Sequence, residues 1–132
     1  MIKAKPFLTL ILILNSIAHY AQLSNTVAKA KIEIEQANGM IKVKGVSENL
    51  SAVVQSFSYK LTVIKKNLKS NNISDNSQEG IVTLDPNQTK ILSETQLNSR
   101  DEDEITVHLL FYDENKTLIG KDRFVLSQEK KK

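Results

Sequence analysis

The chain contains no cysteine and no tryptophan. Without thiols there is no disulfide staple, no thiol nucleophile, no disulfide exchange and no cysteine-based zinc site. The missing tryptophan, with aromatic residues at only 5%, argues against a stacking platform for carbohydrate. Proline and histidine are nearly as scarce. Pro6 and His19 fall in the first 21 residues, which leaves Pro86 and His108 for the rest. A lone histidine has no second imidazole with which to share a metal or a proton, so His108 reads as a packed or rim residue. No GxSxG elbow, HExxH pair or glycine-rich phosphate loop occurs. These absences leave no catalytic residue, no cofactor and no metal to assign, and the chain reads as a non-enzyme.

One long apolar run is present, Phe7 to Leu14 (FLTLILIL), behind Lys3 and Lys5. A basic start, a short apolar stretch and small or polar residues through Ala21 read as a secretory signal peptide, with cleavage expected after Ala21 and an uncleaved N-terminal anchor as the alternative. The run is too short to cross a bilayer, which takes about 20 apolar residues. No cysteine follows to take a lipid, so no stable membrane anchoring is expected once residues 1–21 are removed. The mature chain would start at Gln22. Removing Lys3 and Lys5 from 18 basic residues leaves 16 against 15 acidic ones, a net charge of +1. No concentrated basic face for nucleic acid follows from that balance.

The mature region is patterned with period two, the repeat of a strand with one face covered. After a polar leader, residues 22–29, Ile32 and Ile34 alternate with Lys31, Glu33 and Glu35. Asn38-Gly39 follows, a dipeptide that accepts positive φ at both positions and marks a tight hairpin. Met40 to Val46 returns, with Ile41 and Val43 inward and Lys42 and Lys44 outward. Ser47 to Ser56 reads as a loop with room for one helical turn. Phe57 to Ile64 forms a third strand, with Phe57, Tyr59, Leu61 and Val63 on one face. Lys65 to Gln78 is rich in Asn and Ser and reads as a mobile connection. Glu79 to Leu84 is a short fourth strand ended by Asp85-Pro86-Asn87, where Pro presets the turn. Gln88 to Asn98 is the fifth. Ile105, Val107, Leu109 and Phe111 then alternate with Thr106, His108, Leu110 and Tyr112. Both faces of that strand are largely apolar, so a central, well-covered strand is expected. Asp113 to Lys116 supplies a turn, and Thr117 to Leu126 the seventh strand. Residues 127–132 form a charged tail.

Seven short strands over residues 30–126 predict an all-β, immunoglobulin-like seven-stranded antiparallel β-sandwich, with a small closed barrel as the alternative. Four consecutive acids, Asp101 to Glu104, splay to alternate sides on entering a strand. They read as a solvated turn and not a calcium site. Four Asn-x-Ser/Thr sequons, at Asn49, Asn72, Asn87 and Asn115, are expected by chance in so Asn-rich a chain. Lys42, Lys44, Lys60, Lys121 and Arg123 fall on outward positions of the alternation. Outward lysines keep sheet edges from aggregating. The same five residues are the candidate client-binding set, a basic sheet face for an extended polar chain.

Two stretches carry a family resemblance. IEIEQANGMIKVKG near the start and ITVHLLFYDENKTLIGKDRFVL near the end resemble the CsgH-like and CsgC curli assembly proteins. The first is a strand–Gly–strand hairpin. The second has a strand ending at Leu109 to Asp113, a short turn, and a return strand bearing Lys121-Asp122-Arg123. Tyr20-Ala21-Gln22 also resembles the end of a Bacteroidetes signal peptide. CsgC proteins carry a Cys-x-Cys motif that this chain lacks, so the CsgH-like branch is the better match and a redox role is excluded. The resemblance implies a periplasmic chaperone-like protein. It would be monomeric, meeting a curli-type amyloid subunit transiently and suppressing its premature assembly. A structural or adhesive immunoglobulin-like module of a surface fibre is the alternative, and a small periplasmic hydrolase ranks behind both.

Overall fold

The computed structural model describes residues 24–127. The proposed signal peptide and all but the first residue of the proposed tail lie outside them. The described residues form seven strands: β1 (Ala28–Ala37), β2 (Met40–Asn49), β3 (Gln55–Asn67), β4 (Ile73–Leu84), β5 (Thr89–Asn98), β6 (Asp103–Tyr112) and β7 (Leu118–Ser127). A three-stranded sheet has the order β1-β2-β5 and a four-stranded sheet the order β4-β3-β6-β7. Every pairing is antiparallel. This is the expected sandwich, with β4 paired to β3 and not placed beside β5, as the constant-type immunoglobulin arrangement would have it.

The turns follow from residue chemistry. Asn38 and Gly39 both take positive φ, 55° and 77°, which fits the mirror-image turn that suits strand twist. Pro86 precedes Asn87 at φ 62°, the arrangement of a type II turn. Asp113 Oδ1 accepts bonds from the amides of Asn115 and Thr117, 2.9 Å each. The left-handed residue of that turn is Lys116, at φ 63°.

Between the sheets the period-two faces meet as expected. Ile41 and Val43 from one sheet face Phe57, Leu61, Val63, Ile105, Val107, Leu109 and Phe111 from the other, all buried. The rings of Phe57 and Phe111 lie 4.6 Å apart between centroids. This core holds the sheets together with no disulfide, as burial of this much aliphatic surface allows. Gly45 of β2 lies over Leu109, whose Cδ1 would be 3.3 Å from a Cβ at that position. The two layers therefore pack closely where β2 crosses β6.

Four expectations are corrected. Lys65 to Gln78 is not a mobile connection. It is the far half of a long β3–β4 hairpin, with Lys65 opposite Ser74 and Leu61 opposite Gln78. Its strands are held by main-chain bonds and carry polar side chains, so burial leaves no periodic trace there. Only Leu68 to Asn72 turns, organised by Asn67, whose Oδ1 accepts from the amides of Lys69 and Ser70 at 3.1 and 2.9 Å. Ser47 to Ser56 holds no helical turn. Ser47 and Asn49 extend β2 and are fully buried. Asn49 Nδ2 donates to the carbonyls of Val53, Leu84 and Asp85 at 2.8–3.2 Å, tying β2 to the end of β4. In the acidic run, Asp103 is 4% exposed and not solvated. It accepts from Asn67 Nδ2 at 3.0 Å and from the Arg100 amide at 2.9 Å, joining two turns at one end of the sandwich. Finally, β6 is central in its sheet but covered on one face only, because Thr106, His108, Leu110 and Tyr112 stay half-exposed.

Candidate interaction surfaces

The two outer faces and the strand edges are where this fold can meet another molecule. On the three-stranded sheet, Lys42 and Lys44 project from β2 between the carboxylates of its neighbours. Lys42 Nζ lies 4.0 Å from Glu35 and 3.4 Å from Glu94, and Lys44 Nζ lies 3.4 Å from Glu35. Cross-hairpin pairing thus forms at Glu35, while Glu33 pairs along its own strand with Lys31 at 3.8 Å. These half-exposed pairs contribute little stability each, but they locally neutralise that face.

The four-stranded sheet presents a different outer face. Strand register sets Glu79, Lys60, Leu110 and Lys121 in one cross-strand row, and Ser77, Thr62, His108 and Arg123 in the next. Lys60 pairs with Glu79 at 3.9 Å. Lys121 and Arg123 form no ion pair among the described residues. The structure thus brings Lys60, Lys121 and Arg123 together and puts Lys42 and Lys44 on the opposite side of the sandwich. Apolar side chains share the face with the cations: Ile64, Leu110 and Tyr112 half-exposed, Val125 exposed and Ile81 81% exposed. Reading alternate positions as polar because they face water missed this component. The signal was present in Leu110 and Tyr112, which made both faces of β6 apolar.

The edges are unequal. On the β1/β7 side, side chains close the gap between the sheets. Asn25, at φ 61°, accepts from the amides of Ala30 and Lys121 at 3.2 and 3.1 Å and donates to the Lys121 carbonyl at 3.0 Å. Asp122 accepts from the amide of Ile32 at 2.8 Å and from that of Arg123 at 2.9 Å. The leader therefore joins the fold at Asn25, through contacts some 90 residues away in sequence that no local pattern marks. Along β5, Ser47, Tyr59 and Lys65 donate to the carbonyls of Lys90, Leu92 and Asn98. Leu92 is an extra residue in the β2–β5 ladder, where Gly45 pairs Ser93 and Val46 pairs Ile91.

A groove of about 490 Å³ lies at one end of the sandwich among Lys65, Lys69, Arg100, Glu102 and neighbouring residues. It is polar and open. No group of three or more His, Asp or Glu among the described residues could hold a metal ion.

No protein-family model and no curated protein matches the chain. Solved structures do. CsgH of R. palustris is similar at 20% identity and a TM-score of 0.55, over 77% of this chain and 93% of that one. The E. coli curli protein CsgC is similar at 14% identity and a TM-score of 0.60, over 74% of this chain and 97% of that one. A Bacteroides uniformis beta-glucuronidase is similar at 10% identity and a TM-score of 0.55, but only 14% of its chain is involved. In that enzyme the likeness is confined to one small part, whereas nearly the whole of CsgH and of CsgC is matched, and the fold of this chain is CsgH/CsgC-like.

Proposed function

We propose that this chain is a periplasmic chaperone-like protein that keeps curli-type subunits from assembling prematurely into amyloid. One observation carries the reading: the sandwich matches CsgH and a curli protein, CsgC, over more than nine-tenths of each. On this reading residues 1–21 are a secretory signal peptide, and the mature chain acts in the periplasm as a monomer that meets its client transiently and performs no chemistry on it.

The surface supports that role on physical grounds. Amyloid grows when an extended segment adds to a template of stacked strands. A face that mixes Lys60, Lys121 and Arg123 with half-exposed Leu110 and Tyr112 offers such a segment fast electrostatic encounter and weak apolar contact. Lys42 and Lys44 complete the candidate set on the other face, where their charge is shared with Glu35 and Glu94.

The test is the fibril-formation kinetics of a purified curli-type subunit, followed by dye fluorescence. The mature chain, residues 22–132, is added at a small molar fraction. A dose-dependent lengthening of the lag is expected. An unchanged lag would sink the reading, and an unchanged lag with self-assembly of this chain would favour the fibre module.

A further inference from the structure

Of the four edge strands, β4 alone is bare. Among the described residues, no hydrogen bond other than those to β3 reaches the main chain between Ile73 and Thr83. Asn25 and Asp122 occupy main-chain groups of β1 and β7, and three side chains occupy carbonyls of β5. β4 is also regular. Its register with β3 runs from Lys66↔Ile73 to Gln55↔Leu84 without a shift, whereas the β2–β5 and β6–β7 ladders both carry irregularities. Natural edges are blunted by lysine, proline or a bulge. β4, ISDNSQEGIVTL, has none of these. Its outward side chains are Ile73, Asp75, Ser77, Glu79, Ile81 and Thr83, with Ile73 and Ile81 63% and 81% exposed.

We infer that the free edge of β4 is a strand-addition site for an extended segment carrying a basic residue among alternating apolar ones. Main-chain bonds to the bare edge would supply affinity, and alternate side chains selectivity. The chemistry of the strand selects the occupant. Asp75 and Glu79 are its only charged residues and Asp75 forms no ion pair, so a lysine or arginine opposite them is favoured. Ile73 and Ile81 call for apolar residues near the two ends of the added strand. A second copy of β4 fits poorly, since pairing two such strands sets four carboxylates along one seam with no cation in either strand. The identity of the partner as a curli-type subunit rests on the reading above. The site does not.

Amide hydrogen exchange of the mature chain tests this, with and without two probes: a monomeric curli-type subunit, and a synthetic ten-residue peptide alternating Val and Thr with one central Lys. Slowed exchange concentrated in residues 73–83 is expected with both. The double variant D75K/I81K, altered only at exposed positions, is expected to weaken binding of the Lys peptide at least tenfold. V125K on β7 should change it less than twofold. Protection of β4 without a lengthened fibril lag would keep the site and remove the chaperone role. A lengthened lag with β4 unprotected by either probe would overturn the site and keep the role. Neither effect would remove both, and concentration-dependent protection of β4 by the chain alone would replace the foreign segment with a second copy.

Discussion

Asn25, Asn49 and Asp103 are polar residues that act as fasteners. Each reaches main-chain or side-chain groups distant in sequence, and Asn49 is fully buried. Replacing Asn49 by Ala would strand the amide of Ser51, which bonds it at 2.9 Å, and would remove its bonds to the carbonyls of Leu84 and Asp85 at 3.2 and 3.1 Å. Leaving buried groups unpaired is costlier than a hydrogen bond is stabilising, so Asn49→Ala is expected to lower stability by about 2–4 kcal/mol. Urea unfolding, with an unchanged slope and a lower midpoint, is the check. The burial also means that the sequon at Asn49 is inaccessible in the folded chain. Asn25 is less buried but holds β1 to β7 through three bonds. Asn25→Ala is expected to cost about 1–3 kcal/mol and to speed exchange of the Ala30 and Lys121 amides ahead of those in β6. Uniform exchange across the sheet would show that Asn25 does not hold this side closed.

At the scale of elements, all seven strands were legible, most of them for one reason. They bury one face, and burial writes period two into the sequence, as in Ile41-Val43 or Ile105 to Phe111, whereas β5 has no buried residue and was marked by its turns. What escaped is structure that burial does not write. Asp75, Asn76 and Ser77 are all exposed, and they are strand because β3 offers them a ladder, while Asn and Ser by composition suggest a loop. The candidate basic residues were placed correctly as outward. Alternation within a strand cannot say which of two sheets that strand joins, so their division between opposite faces was not legible. The turn inside the long hairpin was hidden among several Asn residues, and Asn71 at φ 65° is its left-handed position. Glycine tolerates that conformation and β-branched residues do not. Asn71→Gly is expected to leave stability within about 0.5 kcal/mol and Asn71→Val to cost about 1–2 kcal/mol, chiefly in the hairpin. Thermal melts of the pair, with equal midpoints, would show that the turn is not a determinant.

For the whole molecule, the charge distribution decides what the surface can do, and the net charge does not. For this chain, a net charge of +1 over residues 22–132 suggests indifference to charged partners. Its cations are nonetheless unequally engaged. Lys42 and Lys44 share Glu35 and Glu94 on one face, whereas Lys121 and Arg123 on the other form no ion pair among the described residues. If encounter with a client is electrostatic, the second face should carry it. Reversing Lys60, Lys121 and Arg123 to Glu is then expected to shorten the fibril lag conferred by the chain at least severalfold. Reversing Lys42 and Lys44 should have less effect on the lag, although it would crowd carboxylates around Glu35. Salt gives an independent reading. With a screening length of about 8 Å at physiological ionic strength, falling to about 3 Å at 1 M, the lag conferred by the native chain should shrink as salt rises. That of the triple variant should be nearly flat. Equal loss from both sets of reversals would mean that total charge governs the encounter, and the asymmetry of the two faces would then have no bearing on the client.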